Sequence, residues 1–221
     1  YRFYSYGDAM LVGRHGGDVQ GIANHLDYIA GLGFTQIWPT PLIENKQPRH
    51  SYHGYSATDL YRIDPRFGSN EDYRRLVATA RAKGIGFIQD IAPNHVGPGH
   101  HWMGDLPDPA WLHHPPPPGP YSENNHRHVS VQDRYAAPSD QANFTDGWFV
   151  PSMPDLNQRQ PLLATYLTQN AIWWVEYAGL SGIRVDTHPY SDKQFLTRWV
   201  AAIRAEYPNL SLVGEEMSDH P

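Results

Sequence analysis

Charged and polar side chains recur where apolar runs end. "QDIAPNH" (89–95) carries Asp90, Asn94 and His95. "GIRVDTHPY" (182–190) sets Arg184 two residues before Asp186, and "LVGEE" (212–216) ends on Glu215 and Glu216. The loop "SYHGYSATD" (51–59) adds His53 and Tyr55. Two carboxyls flanking one bond can cleave a glycosidic link. One attacks the anomeric carbon or activates water, and the other protonates the leaving oxygen. An arginine beside a carboxylate lowers its pKa by about 1–3 units, so Arg184 is expected to keep Asp186 ionised as a nucleophile. Glu215, to act as the acid, would need a raised pKa.

For these groups to meet, the strands must be parallel and their carboxyl ends must share one face, where α/β architectures build their sites. The pattern supplies that. A helix starts at Asp18, a good N-cap, with Ile22, Leu26, Ile29 and Leu32 on one face and Gly33 as its stop. "FTQIWPT" (34–40) reads as a buried strand. Ser69 and Asp72 form a capping-box pattern ahead of a helix burying Tyr73, Leu76, Val77 and Ala80, which Gly84 closes. A strand over 85–92 follows. After an interruption come a helix from Pro161 to Gly179, a strand over 182–187, a helix from Ser191 or Asp192 to Tyr207, and a strand over 210–217. Helices alternating with nearly continuous apolar strands imply a parallel sheet covered by helices.

The interruption, roughly 93–159, is rich in Pro, His, Asn and Asp and includes "HHPPPPGPY". A stretch this long without periodicity is a functional loop or a small subdomain. Its histidines (100–101, 113–114, 126, 128) lack a compact ligand spacing and read as solvated loop residues. Composition narrows the partners. With 17 Lys+Arg against 23 Asp+Glu the net charge is −6, which argues against nucleic acid, and no basic run points to an anionic membrane. No apolar run approaches the ~20 residues of a membrane span. Zero Cys excludes a disulfide framework, and 7 Trp, 14 Tyr and 7 Phe suit flat hydroxyl-bearing ligands as well as a packed core. Taken singly, Arg184–Asp186 could be a structural ion pair, His95 a strand-end residue, and Glu215–Glu216 a helix cap.

Together, "QDIAPNH", "MPDLN" (153–157), "GIRVD" (182–186) and "LVGEE", in that order, resemble the conserved regions of the α-amylase family, glycoside hydrolase family 13. "HGGDVQGIANHLDYIAGLGFTQIWPTPLIEN" and "YHGYSATDLYRIDPRFGSNEDY" add a similar helix, strand and loop. "MPDLNQRQPLL" and "DTHPYSDK" are most like the neopullulanase and cyclomaltodextrinase-like enzymes of starch-utilisation systems. The resemblance implies a (β/α)8 TIM barrel with Asp186 as nucleophile and Glu215 as general acid/base. It places Arg184 against the nucleophile, and His53, Tyr55 and His95 along the sugar subsite, with Tyr55 stacking on the ring and Asp90 and Asn94 bracing that wall. The substrate implied is an α-glucan oligosaccharide, with α-1,4 cleavage of malto-oligosaccharides, cyclomaltodextrins or pullulan. A periplasmic or otherwise exported setting is implied with it.

By this reading residues 1–92 are barrel from helix 1 to strand 3, 93–159 are the loop subdomain inserted after the third strand, and 160–221 are barrel from helix 3 to strand 5. The chain then begins inside the first β–α connection, and the family's third carboxylate, after the seventh strand, lies beyond it. No cofactor is required for the chemistry. Asn94 and Asp155 match calcium-ligand positions of the family, while Pro189 and Tyr190 stand where many relatives have a Lys-His pair serving substrate and calcium. An α-1,6-active or glucanotransferase member shares these motifs. So does a catalytically inactive glucan-binding module.

Overall fold

The computed structural model describes residues 4–6, 9–12, 17–47, 53–114, 122–126 and 135–216. His128 and the proline run 115–118 lie outside the described residues. In chain order the elements are β1 (Tyr4–Tyr6), β2 (Ala9–Val12), α1 (Val19–Ala23), α2 (Leu26–Gly31), β3 (Gln36–Pro39), β4 (Ile43–Glu44) and β5 (Asp59–Ile63). They continue with α3 (Asn70–Ala82), β6 (Gly86–Ile91), α4 (Pro138–Asp146), α5 (Pro161–Trp174), β7 (Gly182–Val185), α6 (Lys193–Glu206) and β8 (Ser211–Gly214). No helix among the described residues is long and apolar enough to cross a membrane.

Local chemistry sets the helices much as their sequences predict. At α3, the Asp72 amide donates to Ser69 Oγ (3.1 Å) and the Ser69 amide donates back to the Asp72 carboxylate (2.9 Å). This closes the capping box, and Gly84 at φ +77° ends the helix as few side chains could. Pro161 opens α5, where Gln160 caps the Leu163 amide at 2.9 Å, and Asp192 caps α6 through the Phe195 amide at 2.7 Å. The expected single helix over 18–33 is instead two. α1 stops at Asn24, and His25 turns its Nδ1 onto the Gly21 carbonyl (2.7 Å) before α2 begins. Gly21 and the two polar residues Asn24 and His25 weaken the run, while Ile22, Leu26 and Ile29 stay buried on both sides of the break.

The sheet runs β1-β2-β3-β6-β7-β8. From β2 to β8 every pairing is parallel, and β1 is antiparallel to β2. Each successive strand adds to the same edge, so the order never reverses as it does in doubly wound sheets. That is the order of a (β/α)8 barrel, carried through five of its eight parallel strands and not closed. The expectation that the chain starts after the first strand is corrected by β2, a short apolar run (Ala9–Val12) pairing with β3. A second element without sequence warning is the antiparallel pair β4–β5, which holds between its strands the loop carrying His53 and Tyr55.

The inserted segment 93–159 is held at its root. Isolated bridges join His95 to Asp155 and Leu112 to Leu156, and the Val96 amide donates to the Pro154 carbonyl (3.1 Å). Trp102 and Trp111 meet edge-on (centroids 4.8 Å), and Trp102 meets Tyr166 of α5 (5.1 Å). Three of its histidines are not solvated: His100 is buried, the His113 side chain is nearly covered against Asp155, and the ring nitrogens of His126 are shielded among Phe144, Phe149 and Tyr190.

Candidate active site

Strand register assembles the site. Asp90 pairs with Arg184 across β6–β7, and Arg184 with Val213 across β7–β8. Paired residues of parallel strands share a face, and so do residues two apart. Asp90, Arg184, Asp186 and Glu215 therefore point one way, whereas Phe87, Ile183 and Val185 turn to the helices, where all three are buried. Parity alone separates Glu215 from Glu216, which is exposed and lies 4.0 Å from His188.

Arg184 is the hub. Its Nη1 lies 2.9 Å from Asp90 Oδ1, 2.5 Å from Asp186 Oδ1 and 3.0 Å from Tyr55 Oη, while its Nη2 lies 2.9 Å from Glu215 Oε1. Its guanidinium also sits over the Trp38 ring, 5.3 Å from the centroid. One guanidinium thus holds three carboxylates brought by three strands. The other oxygen of Glu215 accepts from the Thr187 amide at 2.8 Å. Thr187 adopts left-handed backbone (φ 48°, ψ 35°), an outlier for a β-branched residue. That turn ends β7 just past Asp186 and takes the amide out of the sheet ladder.

The electrostatics correct one expectation. Burial pushes Asp186 up to about 7, and the neighbouring Asp90 and Glu215 charges add to the rise, against the pull of Arg184. Arg184 does lower it, as the sequence predicts, but by less than burial raises it. A guanidinium shared among three buried or half-buried carboxylates cannot offset their lost hydration and mutual repulsion. Asp90 follows suit, raised by burial to about 6 although Arg184, Trp38 and Tyr55 all oppose the rise. Burial and the Asp90 charge likewise raise the Tyr55 phenol, which keeps its proton and donates it to Asp90 Oδ2 at 3.0 Å.

The aromatic wall lies alongside. His53 stacks on Tyr55 (centroids 5.5 Å, 22°), and its Nδ1 accepts from the Tyr55 amide at 3.0 Å. His95 is 1 % exposed, and burial lowers its pKa to about 3, so the ring is neutral. Asn94 stands apart from this wall: its side chain reaches Asp155 and Ser191 rather than Tyr55 or Arg184. Trp38 was missed in the sequence, although it donates from Nε1 to Asp90 Oδ2 at 3.0 Å. The available signal was an indole, with its single polar handle, at the end of "TQIWPT".

The calcium that the resemblance implies would fall on Asn94 and Asp155. Calcium takes six to eight oxygen ligands. Here both oxygens of buried Asp155 accept from nitrogen, one from the Asn94 amide (3.0 Å) and one from the His113 ring (2.5 Å). Arg159 adds a guanidinium to the same cluster. Burial, and then the Asp146 charge beside it, hold the Asp155 carboxyl well above its ordinary range, while the Asn94 amide and the Arg159 charge pull the other way. No group of three or more acidic or histidine side chains among the described residues is placed to hold a metal. These residues do not fit calcium.

Comparison with known proteins identifies the family. Residues 4–220 match the alpha amylase catalytic domain. The chain is 35% identical over 188 residues to a beta/alpha-amylase of Paenibacillus polymyxa, covering 82% of this chain and 14% of that one. It is 32% identical over 214 residues to a cyclomaltodextrinase of Geobacillus thermopakistaniensis, covering 92% and 32%. Among solved structures, the α-amylase of Geobacillus thermoleovorans complexed with acarbose superposes with a TM-score of 0.76 at 34% identity, covering 95% of this chain and 42% of that one. The chain therefore spans less than half the length of each of these relatives.

Proposed function

Since this chain belongs to the α-amylase catalytic-domain family, we propose that it carries the nucleophile and the acid/base of a retaining α-glucan hydrolase. Its substrates are α-1,4-linked malto-oligosaccharides, cyclomaltodextrins or pullulan. The observation that supports this most is Arg184, whose two terminal nitrogens contact Asp186 and Glu215 at once. Two carboxyls tied to one guanidinium are close neighbours, as direct attack on an anomeric carbon between them requires.

In the first half-reaction Asp186 attacks the anomeric carbon while Glu215 gives its proton to the departing glycosidic oxygen. The C–O bond to the leaving sugar breaks, and an ester to Asp186 forms. In the second, Glu215 takes a proton from water, the water oxygen attacks the same carbon, and the ester bond breaks to regenerate Asp186. Positive charge develops on the sugar ring in both transition states. Ionised Asp90 supplies a fixed negative charge to meet it, and Arg184 holds Asp186 and Glu215 as each gains or sheds charge. Asp90 takes no proton in this scheme. It fixes Tyr55 and Arg184, and through them the plane on which the sugar rests.

The test is the anomeric configuration of the first product. Following cyclomaltodextrin hydrolysis by proton NMR in the protein with its barrel completed, we expect the α-anomer to appear before mutarotation. First appearance of the β-anomer would overturn the double displacement. The 221 residues alone, with β8 unpaired at the sheet edge, should show no turnover.

A further inference from the structure

We propose that Arg159, acting through His113, does in this protein what a divalent cation does in relatives that bind one: it neutralises buried Asp155 and pins the inserted segment to the strand ends. The hydrogen-bond directions follow from donor chemistry. Arginine can only donate, so His113 Nε2, 2.9 Å from Arg159 Nη2, must accept. The ring proton therefore sits on Nδ1, which donates to Asp155 Oδ2 at 2.5 Å. The other oxygen of Asp155 takes the Asn94 amide at 3.0 Å, and Asn94 Oδ1 accepts from Ser191 Oγ at 3.3 Å. Asp155 is 1 % exposed, and a carboxylate so placed needs compensation. Arg159 supplies part of it through a neutral ring, its charge shared with Asp146, whose Oδ2 it holds at 2.7 Å.

The tether has the reach of a metal site. Asp146, Asp155, Arg159 and His113 belong to the inserted segment. Asn94 stands at the root of that segment, three residues past the end of β6, and Ser191 follows the turn that begins at Thr187. A divalent ion would have to enter beside a guanidinium and displace two N–H donors from Asp155. The arrangement excludes it electrostatically as well as by ligand type.

The experiment is thermal unfolding of the complete protein in EDTA and in millimolar CaCl2. For wild type, the two Tm values should agree. A difference above about 3 °C would overturn the proposal. The double variant His113→Asp/Arg159→Ser replaces the nitrogen donors with oxygen. Its Tm should fall by several degrees in EDTA and be regained with calcium. A double variant as stable as wild type in EDTA, or one that calcium leaves unchanged, counts against the proposal. Should that variant not fold, calorimetric titration of wild type with CaCl2 decides alone, because single-site binding heat refutes the proposal and its absence supports it. None of these outcomes depends on which glycosidic bond the enzyme cleaves, so a failure here leaves the reading of Asp186 and Glu215 intact.

Discussion

Replacing Asp186 by Asn should stabilise the protein at pH 8 while abolishing turnover. Asp186 is 5 % exposed, and its pKa is raised by burial, then by Asp90 and Glu215, to about 7 against an ordinary 3.8. A carboxyl with a raised folded pKa contributes stability that is full below the unfolded value and is lost as pH rises through the folded one. The loss accrues between about pH 4 and pH 7 at about 1.4 kcal/mol per pH unit. Between pH 5 and pH 8 wild type therefore forfeits up to about 3 kcal/mol at this one side chain. Relaxation and water penetration cut that to about 1–2 kcal/mol. Asn keeps an oxygen for Arg184 and has no proton to lose, so its stability relative to wild type should improve by that amount over the same interval. Denaturant melts of both proteins at pH 5 and pH 8 measure the double difference directly. A difference of zero, or one favouring wild type at pH 8, would show that Arg184 outweighs burial and that the charge balance argued above is wrong.

Glu215→Gln should lower turnover of oligosaccharides by about 10²–10⁴-fold yet lose far less on a glycosyl fluoride, whose leaving group needs no proton. Glu216→Gln, altering the opposite face of the strand, serves as the control and should keep wild-type rates on both substrates. Trp38→Phe removes the Nε1 donor to Asp90. It should cost about 1–3 kcal/mol at pH 8 and less at pH 5, where Asp90, with its pKa near about 6, holds its own proton. Ser69→Ala breaks the capping box of α3 and should lower stability by about 1 kcal/mol with activity unchanged, read from urea melts and an initial-rate assay.

Much of this was legible in one dimension because its causes are local. The caps at Ser69 and Asp192, the proline opening α5 and the glycine closing α3 act within one helical turn. The period of buried residues in α3 and α6 states which face meets the sheet. Strand parity is equally local and sets Glu215 and Glu216 on opposite faces, though it was the resemblance that singled out Glu215. The carboxylates' arrival at one place followed from a rule of parallel sheets, and the register of Asp90 against Arg184 bears it out.

What tertiary structure decided depends on sums over distant residues. The helix over 18–33 broke because packing kept Ile22, Leu26 and Ile29 buried without needing the turn between them, so the weak Asn24–His25 step was free to open. β4 and β5 are short pieces whose pairing carries no periodic signal, and β2 is four residues that gain meaning only beside β3. The protonation of Asp186 is the clearest case. "RVD" places one cation two residues away and predicts a lowered pKa. The folded protein adds Asp90 from one neighbouring strand and Glu215 from the other, and removes water from all three. His113 and Arg159 lie 46 positions apart, and no spacing rule joins them. Sequence sets which groups each strand end carries, but the free energy of a charge is set by everything within a few ångströms of it, and that neighbourhood exists only once the chain has folded.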